Sequence, residues 1–384
     1  MNVGVSPLRV TISGSYGGMN LGDEAILEGI VTELERHLPA EVTVLSRNPA
    51  DTVARHSVAR AIAPRSMTKT EMRAALEGTD LFILGGGGIL YDQDAETYLR
   101  EVFLAHELGI PVVVYAISAG PLTRDATRRA VREALDEARL VTVRDRQAYR
   151  LLEDVGITRE IHLAADPAFL LEPETFSVEA LAAEGVELDR HLVGFSVREP
   201  GPAAPDIDPD EYYALLANAA DFVIERYDAD VVFVPMEKAD VQHSHGVVAH
   251  MQNSERAEIL RRRYSPGQIL DLMGRFELAV GMRLHFLIFA TLRSTPLAAL
   301  PYASKVSGLL EHLQMETPPL SKIGIGQLIA RIDRSWDRRD ELRTRIRERL
   351  PELRRCAELT NELLVELLQR ISAPASEPTA PSHH

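Results

Sequence analysis

Short apolar segments alternate with helix-type segments along most of this chain, and this alternation constrains the fold more than any other feature. Residues 111–117 (PVVVYAI) are almost wholly apolar, which is typical of a parallel strand covered on both faces. Residues 24–37 instead place apolar side chains three and four positions apart, which indicates a helix. Repeated strand–helix units predict an α/β fold with parallel, doubly wound sheets.

The alternation runs through two halves of the chain. It lapses at 172–190 and then restarts, so we expect two Rossmann-like domains, at 1–178 and 186–337. The predicted strands are 8–13, 41–45, 81–84, 111–117, 140–143 and 160–163 in the first half, and 192–197, 231–234, 278–280 and 297–300 in the second.

The C-terminal region has a different pattern. Residues 338–371 have the apolar spacing of a long helix, which is expected to pack across both domains. Pro351 should kink or divide this helix, because proline lacks the amide hydrogen that an interior helical position donates. The tail at 372–384 is low in complexity and is expected to be disordered.

Charge and composition argue against several classes of protein. The chain has 57 acidic and 42 basic residues and a formal net charge of −15, which disfavours a nucleic-acid partner. No apolar stretch is long enough to predict an integral membrane segment, and the first residues lack the pattern of a secretory signal. The single cysteine, Cys356, cannot form a disulfide within the chain, which suits the cytoplasm.

Glycine-rich loops follow two of the predicted strands. Residues 14–23 (GSYGGMNLGD) come after the first strand and open a helix, and residues 85–88 are four consecutive glycines after the third. Backbone N–H groups at such strand ends bind anions and other ligands, although the first loop matches neither the dinucleotide motif nor the P-loop. Two interpretations stay open for Asp23, which either contributes to a ligand site or only caps the helix. Two also stay open for the four glycines, which either let a ligand approach the backbone or form a tight turn.

Four cationic residues follow predicted strands in the second half, namely Arg198, Arg283, His285 and Lys305. The carboxyl ends of parallel strands meet at one sheet edge, so we expect these side chains to lie near each other. A guanidinium beside an imidazole at a helix start suits a carboxylate or a phosphate, and His285 could transfer a proton. The alternatives are a structural histidine and solvated surface cations.

Other charged groups are weaker candidates. Arg144 follows a predicted strand and could simply pair with the aspartate beside it, and Asp166 precedes a proline as in many turns. His243 and His245 lie near Asp240 in the sequence but have no third close ligand, so no metal site is expected.

Seven segments, taken in order, resemble the polysaccharide pyruvyl transferase family. They are GSYGGMNLGDEAIL, LFILGGGGILYD, AISAGPL, VTVRDRQAYRLLEDVGI, DPAFLL, GMRLHFLIFA and PLAALPYASKVSGL, between about residue 8 and residue 315. The resemblance implies two Rossmann-like domains arranged as in GT-B glycosyltransferases, with a cleft between them. It also implies transfer of an enolpyruvyl-derived group from phosphoenolpyruvate to a sugar, giving a pyruvate ketal and phosphate, with no cofactor and no metal.

The same resemblance assigns residues to the two substrates. Arg283, Leu284 and His285 stand where the family has its Arg-Leu-His motif for the donor, phosphoenolpyruvate, and Arg198 and Lys305 would join them. First-domain loops would face the acceptor, through Gly17, Asn20, Asp23, Gly86, Gly87 and Arg144. The sequence departs from the family at 116–121 (AISAGP in place of a Gly-x-Gly-Pro pattern) and at Gln147, and both departures concern the acceptor.

The implied reaction needs an acid and a base. Protonation of the donor's methylene carbon makes C2 electrophilic, one sugar hydroxyl attacks there, phosphate leaves, and a second hydroxyl closes the ketal. His285 is the expected acid and Asp23 the expected base, while Arg283 stabilises the departing phosphate. The acceptor would be a saccharide or lipid-linked saccharide of a cell-surface polysaccharide, and the sequence is compatible with a homo-oligomer.

Two other functions compete with this one. A nucleotide-sugar-dependent glycosyltransferase on the same architecture would also use cations, but no clear carboxylate for ribose hydroxyls is found in the second half. A binding module that has kept the fold without the chemistry is the third hypothesis, and the presence of Asp23, Arg283, His285 and Lys305 argues against it.

Overall fold

Two parallel β-sheets form the framework of the protein. The computed structural model describes residues 6–199, 208–300, 304–315 and 324–372. The N-terminal domain contains β1 (Leu8–Ser13), α1 (Leu21–His37), β2 (Ala40–Leu45), α2 (Pro49–Arg55), β3 (Arg60–Ile62), α3 (Lys69–Leu76), β4 (Leu81–Leu84), β5 (Gly87–Leu90), α4 (Ala95–Glu107), β6 (Val112–Ala119), α5 (Asp125–Asp136), β7 (Leu140–Val143), α6 (Arg146–Val155) and β8 (Ile161–Leu163). The short helix α7 (Val178–Ala182) follows, and its Leu181 packs in a cluster with residues of the C-terminal domain.

The second sheet and its helices form the C-terminal domain. Its elements are β9 (His191–Ser196), α8 (Pro209–Tyr227), β10 (Ala229–Phe233), α9 (Lys238–Val248), β11 (Ala257–Ile259), α10 (Pro266–Met273), β12 (Leu278–Gly281), α11 (Leu284–Leu292), β13 (Leu297–Ala299), α12 (Ser304–His312) and α13 (Ile325–Asp337), followed by the long helix α14 (Arg339–Ser372). The domain boundaries expected from the sequence stay a prediction.

The strand order of each sheet is that of a Rossmann-type fold. The order is β3-β2-β1-β4-β6-β7-β8 in the first sheet, with β5 beside β6, and β11-β10-β9-β12-β13 in the second. All of these pairs are parallel. Each order reverses at a central pair, β1 with β4 and β9 with β12, and such switch points bind ligands beyond the carboxyl ends of the strands.

The strands predicted from apolar runs are confirmed to within two residues, and the described part of the chain contains three further strands. Every residue of β6 is buried, as its apolar sequence predicts. The missed strands β3 and β11 are three-residue edge strands, and β5 begins with two glycines, so none has a strong strand signal.

One hydrophobic core continues from one domain into the other. Ala25 of α1 and Phe169, in the turn Pro167–Leu170, belong to the same buried cluster as Leu270 and Phe286 of the C-terminal domain and Leu353 of α14. Because these side chains exclude water jointly, the core stabilises the domain contact as well as each domain.

The long C-terminal helix is confirmed, and it packs against the first sheet as well as the second domain. Tyr115 of β6 donates a hydrogen bond from its hydroxyl to Oδ1 of Asn361 at 2.6 Å, and both residues are buried. The helix continues through Pro351, so the predicted division there is wrong. Apart from its first residue, the tail predicted to be disordered lies outside the described residues. No helix within the described part of the chain combines the length and apolar character needed to cross a bilayer.

Candidate active site between the domains

Loops at the carboxyl ends of the two sheets meet at an interdomain contact. The N–H of Leu21, where α1 begins, donates to the carbonyl oxygen of Met236 after β10 at 2.7 Å. Beside it, Nδ2 of Asn20 donates to Oε2 of Glu237 at 3.2 Å. These bonds hold the first glycine-rich loop against the loop between β10 and α9.

Two chambers lie in the cleft between the domains. The first chamber has a volume of about 710 Å³, and its lining includes Arg144, Asp166, Leu284 and Lys305. The second chamber has a volume of about 310 Å³, and its lining includes Met19, Leu21, Glu237, Lys238, Arg262 and Tyr264. Both domains therefore contribute to each chamber, and three predicted site residues line the first.

Asn20, rather than Asp23, caps helix α1. Its Oδ1 accepts hydrogen bonds from the N–H groups of Gly22 at 2.9 Å and Asp23 at 3.3 Å. The alternative that Asp23 is only the helix cap is therefore wrong, and its carboxylate is available for another role.

The Asp23 carboxylate lies in a partly buried, positively charged environment. Burial raises its pKa above the ordinary value, while the charge of His285, a hydrogen bond from Ser15, and the charges of Arg144 and Lys305 oppose the rise. A carboxylate with a raised pKa and cationic neighbours has the properties of a general base.

The predicted acceptor glycines are buried. Gly17 has a φ of +69°, a region that favours glycine. A Cβ atom on Gly86 would lie 2.8 Å from Ile26, and one on Gly87 would lie 3.7 Å from Oδ1 of Asp23. The absence of these side chains brings α1 and the Asp23 carboxylate against the first sheet. Contact of these glycines with an acceptor stays a prediction.

His285 bridges the two domains. Its Nε2 lies 3.4 Å from Oδ2 of Asp166, which follows β8 in the N-terminal domain; this distance allows ion pairing but exceeds an ordinary hydrogen bond. On the other side, a Cβ atom on Gly22 would lie 2.0 Å from Nδ1 of His285. The imidazole is thus held between an aspartate and the first turn of α1.

Asp166 connects His285 to Arg144. Its Oδ2 accepts a hydrogen bond from Nη1 of Arg144 at 2.6 Å, and its Oδ1 accepts one from the N–H of Ala168 at 3.0 Å. Burial alone would raise the pKa of Asp166, but the charges of Arg144 and His285 hold it well below its usual range. Such strongly perturbed carboxylates concentrate at functional sites.

Arg283 is bound by two carboxylates of its own domain. Its Nε donates to Oδ2 of Asp240 at 3.0 Å, and its Nη2 donates to Oδ1 of Asp240 and to Oε1 of Glu237. Burial raises the pKa of Asp240 even though Arg283 opposes the shift. The positive charge that the sequence predicts here is therefore balanced by acids, which corrects the expectation of a purely cationic cluster.

Arg198 also has a carboxylate partner. It follows β9 and donates through Nη2 to Oε1 of Glu199. Burial would raise the pKa of Glu199, but Arg198 and, more weakly, Arg283 lower it below the ordinary value. The charges of His285 and Lys305 act on Asp23, and those of Arg198 and Arg283 act on Glu199.

The acidic partners are the site residues that sequence reasoning missed. Asp166 was interpreted as a turn residue, Asp240 as a weak metal ligand, and Glu237 was given no role. Their place after parallel strands is the signal that could have identified them. His243 does not join Asp240 but bonds to Tyr213 instead, its Nδ1 lying 2.8 Å from the tyrosine hydroxyl. Within the described ranges, no cluster of three metal-ligating side chains is found.

Solved structures of nucleotide-sugar enzymes have a similar fold. The UDP-GlcNAc 2-epimerase of Neisseria meningitidis aligns with a TM-score of 0.64 and 11% identity, over 93% of this chain and 99% of that one. The UDP-GlcNAc 2-epimerase of Methanocaldococcus jannaschii gives 0.62 and 15%, over 86% and 92%. HepE of Anabaena, in complex with UDP and glucose, gives 0.59 and 12%, over 94% and 100%. These likenesses confirm two Rossmann-like domains in a GT-B-like arrangement.

The sequence defines the family more closely than the fold does. The profile of the polysaccharide pyruvyl transferases matches residues 20–304, which include the interdomain contact and most of the charged groups described above. The chain belongs to the polysaccharide pyruvyl transferase family. The amylovoran biosynthesis protein AmsJ of Erwinia amylovora is 20% identical over 418 residues, which cover 95% of this chain and 100% of that relative.

Proposed function

We propose that this protein transfers a pyruvyl group from phosphoenolpyruvate to a saccharide, forming a pyruvate ketal and releasing phosphate. One observation carries the proposal: His285 of the C-terminal domain meets Asp166 of the N-terminal domain, beside Arg144 and close to the charge of Asp23. An acid candidate and a base candidate are thus brought together across a cleft that both domains line. Membership of the family supports a transferase of this class.

Each charged group has a separate role in the proposed reaction. His285 protonates the methylene carbon of the donor, and Asp23 takes the proton of the sugar hydroxyl that attacks C2. Phosphate then leaves with its bonding electron pair and takes the proton from Asp23. The second hydroxyl closes the ketal, and its proton returns to His285. Arg283 pairs with the carboxylate of the donor, while Arg198 and Lys305 stabilise the negative charge of the departing phosphate.

The acceptor we propose is a sugar of a cell-surface polysaccharide or of its precursor, modified in the cytoplasm. The name of AmsJ, an amylovoran biosynthesis protein, supports a polysaccharide pathway. The first chamber, with its volume of about 710 Å³, has room for a saccharide beside Arg144 and Asp166.

The test is phosphate release from phosphoenolpyruvate in the presence of candidate saccharides. We expect His285→Ala to abolish release while the fold is retained. Arg283→Ala should abolish release and also lower the free energy of unfolding, because it leaves the buried Asp240 without its partner. His250→Ala is the matched control, since His250 is an exposed histidine of the same domain. Full turnover in both site variants would overturn the donor assignment.

A thermal-shift comparison separates this function from that of a nucleotide-sugar glycosyltransferase. A ligand that binds the folded state alone raises the unfolding temperature, and the rise grows with the logarithm of its concentration once that exceeds Kd. We expect stabilisation by phosphoenolpyruvate. Stabilisation by UDP without any effect of phosphoenolpyruvate would favour the glycosyltransferase instead.

A further inference from the structure

Arg283 shares its one positive charge with two carboxylates. Asp240 and Glu237 both accept hydrogen bonds from its guanidinium, so these three side chains together have a net charge of −1 when all are ionised. An anionic substrate that approaches Arg283 therefore meets a surplus of negative charge. It can form a favourable ion pair there only if one carboxylate moves away.

The two carboxylates are held very differently. The Asp240 side chain is fully buried and contacts both Nε and Nη2 of Arg283, and its Oδ2 also accepts from the N–H groups of Met236 at 3.1 Å and Glu237 at 3.3 Å. The Glu237 side chain is 30% exposed, lines the second chamber and contacts only Nη2. Asp240 is thus a fixed support that orients the guanidinium, whereas Glu237 can rotate toward solvent.

Glu237 also connects Arg283 to the other domain. While Oε1 accepts from Arg283, Oε2 accepts from Nδ2 of Asn20, the residue that caps α1. Asp23, the base candidate, lies in the first turn of that helix. Any movement of the Glu237 carboxylate away from Arg283 therefore also breaks a hydrogen bond between the domains.

We infer that Glu237 is a displaceable carboxylate that determines specificity at Arg283. The carboxylate of the donor takes its place on the guanidinium, and its departure from Asn20 loosens the domain contact at the start of α1. This inference rests on the proposed function for the identity of the donor. It assigns Glu237 a role in selecting donors that bring a carboxylate of their own.

The test is calorimetric titration of the full chain with two probes, phosphoenolpyruvate and methyl phosphate. Glu237→Gln keeps the size of the side chain and an oxygen that can accept from Asn20, but it removes the competing charge. We expect this variant to bind phosphoenolpyruvate about three- to fivefold more tightly, since removing one partly exposed charge changes an ion pair by roughly that factor. Binding of methyl phosphate, which lacks a carboxylate, should stay within about twofold of the wild type.

Two further variants are controls, one for the loss of charge and one for the hydrogen bond between Asn20 and Glu237. Glu255→Gln removes the same charge at an exposed site of the C-terminal domain and should leave both affinities unchanged. Asn20→Ser keeps an oxygen that caps α1 but is too short to reach Glu237. We expect it to strengthen donor binding by less than E237Q does, and the two effects to be less than additive because they act on one contact.

The outcomes distinguish this inference from the proposed function. If the wild type releases phosphate from phosphoenolpyruvate but E237Q binds the donor no more tightly, displacement of Glu237 is wrong and the function stands. If neither protein binds phosphoenolpyruvate, both are wrong. A larger gain for methyl phosphate than for phosphoenolpyruvate would overturn the assignment to the donor carboxylate.

Discussion

The two chambers of the cleft are both lined by cations, but they hold their charges in different ways. In the first chamber the side chains of Arg144 and Asp166 are 4% and 5% exposed and pair directly. In the second, the side chains of Arg261 and Arg262 are 69% and 66% exposed, and their acidic partners lie 3.8 and 3.7 Å away. Buried charges act strongly on each other because little water screens them, so the charges of the first chamber are the more strongly coupled.

The largest effect is expected from breaking the buried pair in the first chamber. Asp166→Ala leaves Arg144 without its buried partner, and loss of one member of such a pair lowers the free energy of unfolding by roughly 3–5 kcal/mol. It also removes the group that faces Nε2 of His285, so phosphate release should fall as well. Urea unfolding and a phosphate-release assay measure the two effects.

Asp166→Asn and acid pH give the control for this prediction. The folded-state pKa of Asp166 lies below the ordinary value of 3.8. The ionised carboxylate therefore stabilises the folded protein fully above pH 3.8, and this stabilisation is lost as the pH falls from there through the folded-state pKa. The unfolding free energy of the wild type should therefore fall more steeply below pH 3.8 than that of D166N. Parallel slopes in the two proteins would contradict the charge interaction that we assign to Asp166.

An intermediate effect is expected from Gly22→Ala, which displaces the His285 imidazole without removing a charge. The added Cβ would lie 2.0 Å from Nδ1 of His285, so the imidazole must move. A displacement of this size lowers kcat by roughly 100-fold when the group takes part in the reaction. Gly326→Ala in α13 is the control, because no atom lies within 4 Å of its added Cβ. Equal activity in the two variants would show that the position of His285 is unimportant.

The smallest effect is expected in the second chamber. Arg262→Ala removes an exposed guanidinium, while Glu184, its acidic partner, keeps hydrogen bonds from the backbone N–H groups of residues 261 and 262 and from the hydroxyl of Tyr264. The free energy of unfolding should change by less than about 1 kcal/mol, as for most exposed ion pairs. Phosphate release should stay within about twofold of the wild type at physiological salt. A large loss of release would place chemistry in this chamber too.

The fold could be predicted from the sequence because the strongest signals are local. The apolar run of β6 and the glycine loop after β1 each depend on neighbouring residues, and both lie where they were expected. The strand β5 was not predicted, because its glycines suggest a loop and its pairing with β6 is a long-range contact. The continuity of the helix through Pro351 was not predicted for a related reason: tertiary packing outweighs a local helix breaker.

The cations of the site could be predicted, but their partners could not. Arg283 and His285 are two positions apart and were identified together, yet they bind carboxylates from different domains, Asp240 and Asp166 respectively. Motif reasoning finds positive groups for an anionic donor and passes over acids, because an acid seems to oppose that donor. Only the three-dimensional structure shows that these acids orient the cations.

The long C-terminal helix has a consequence for the order in which the protein folds. Leu364 of α14 belongs to the same buried cluster as Val10 of β1 and Tyr115 of β6, so the core of the first domain includes one of the last parts of the chain. Domains commonly fold as they leave the ribosome, starting with the N-terminal one. Here the domain that is synthesised first cannot complete its core until α14 has been translated, so we expect part of its apolar surface to stay exposed while the second domain is being made.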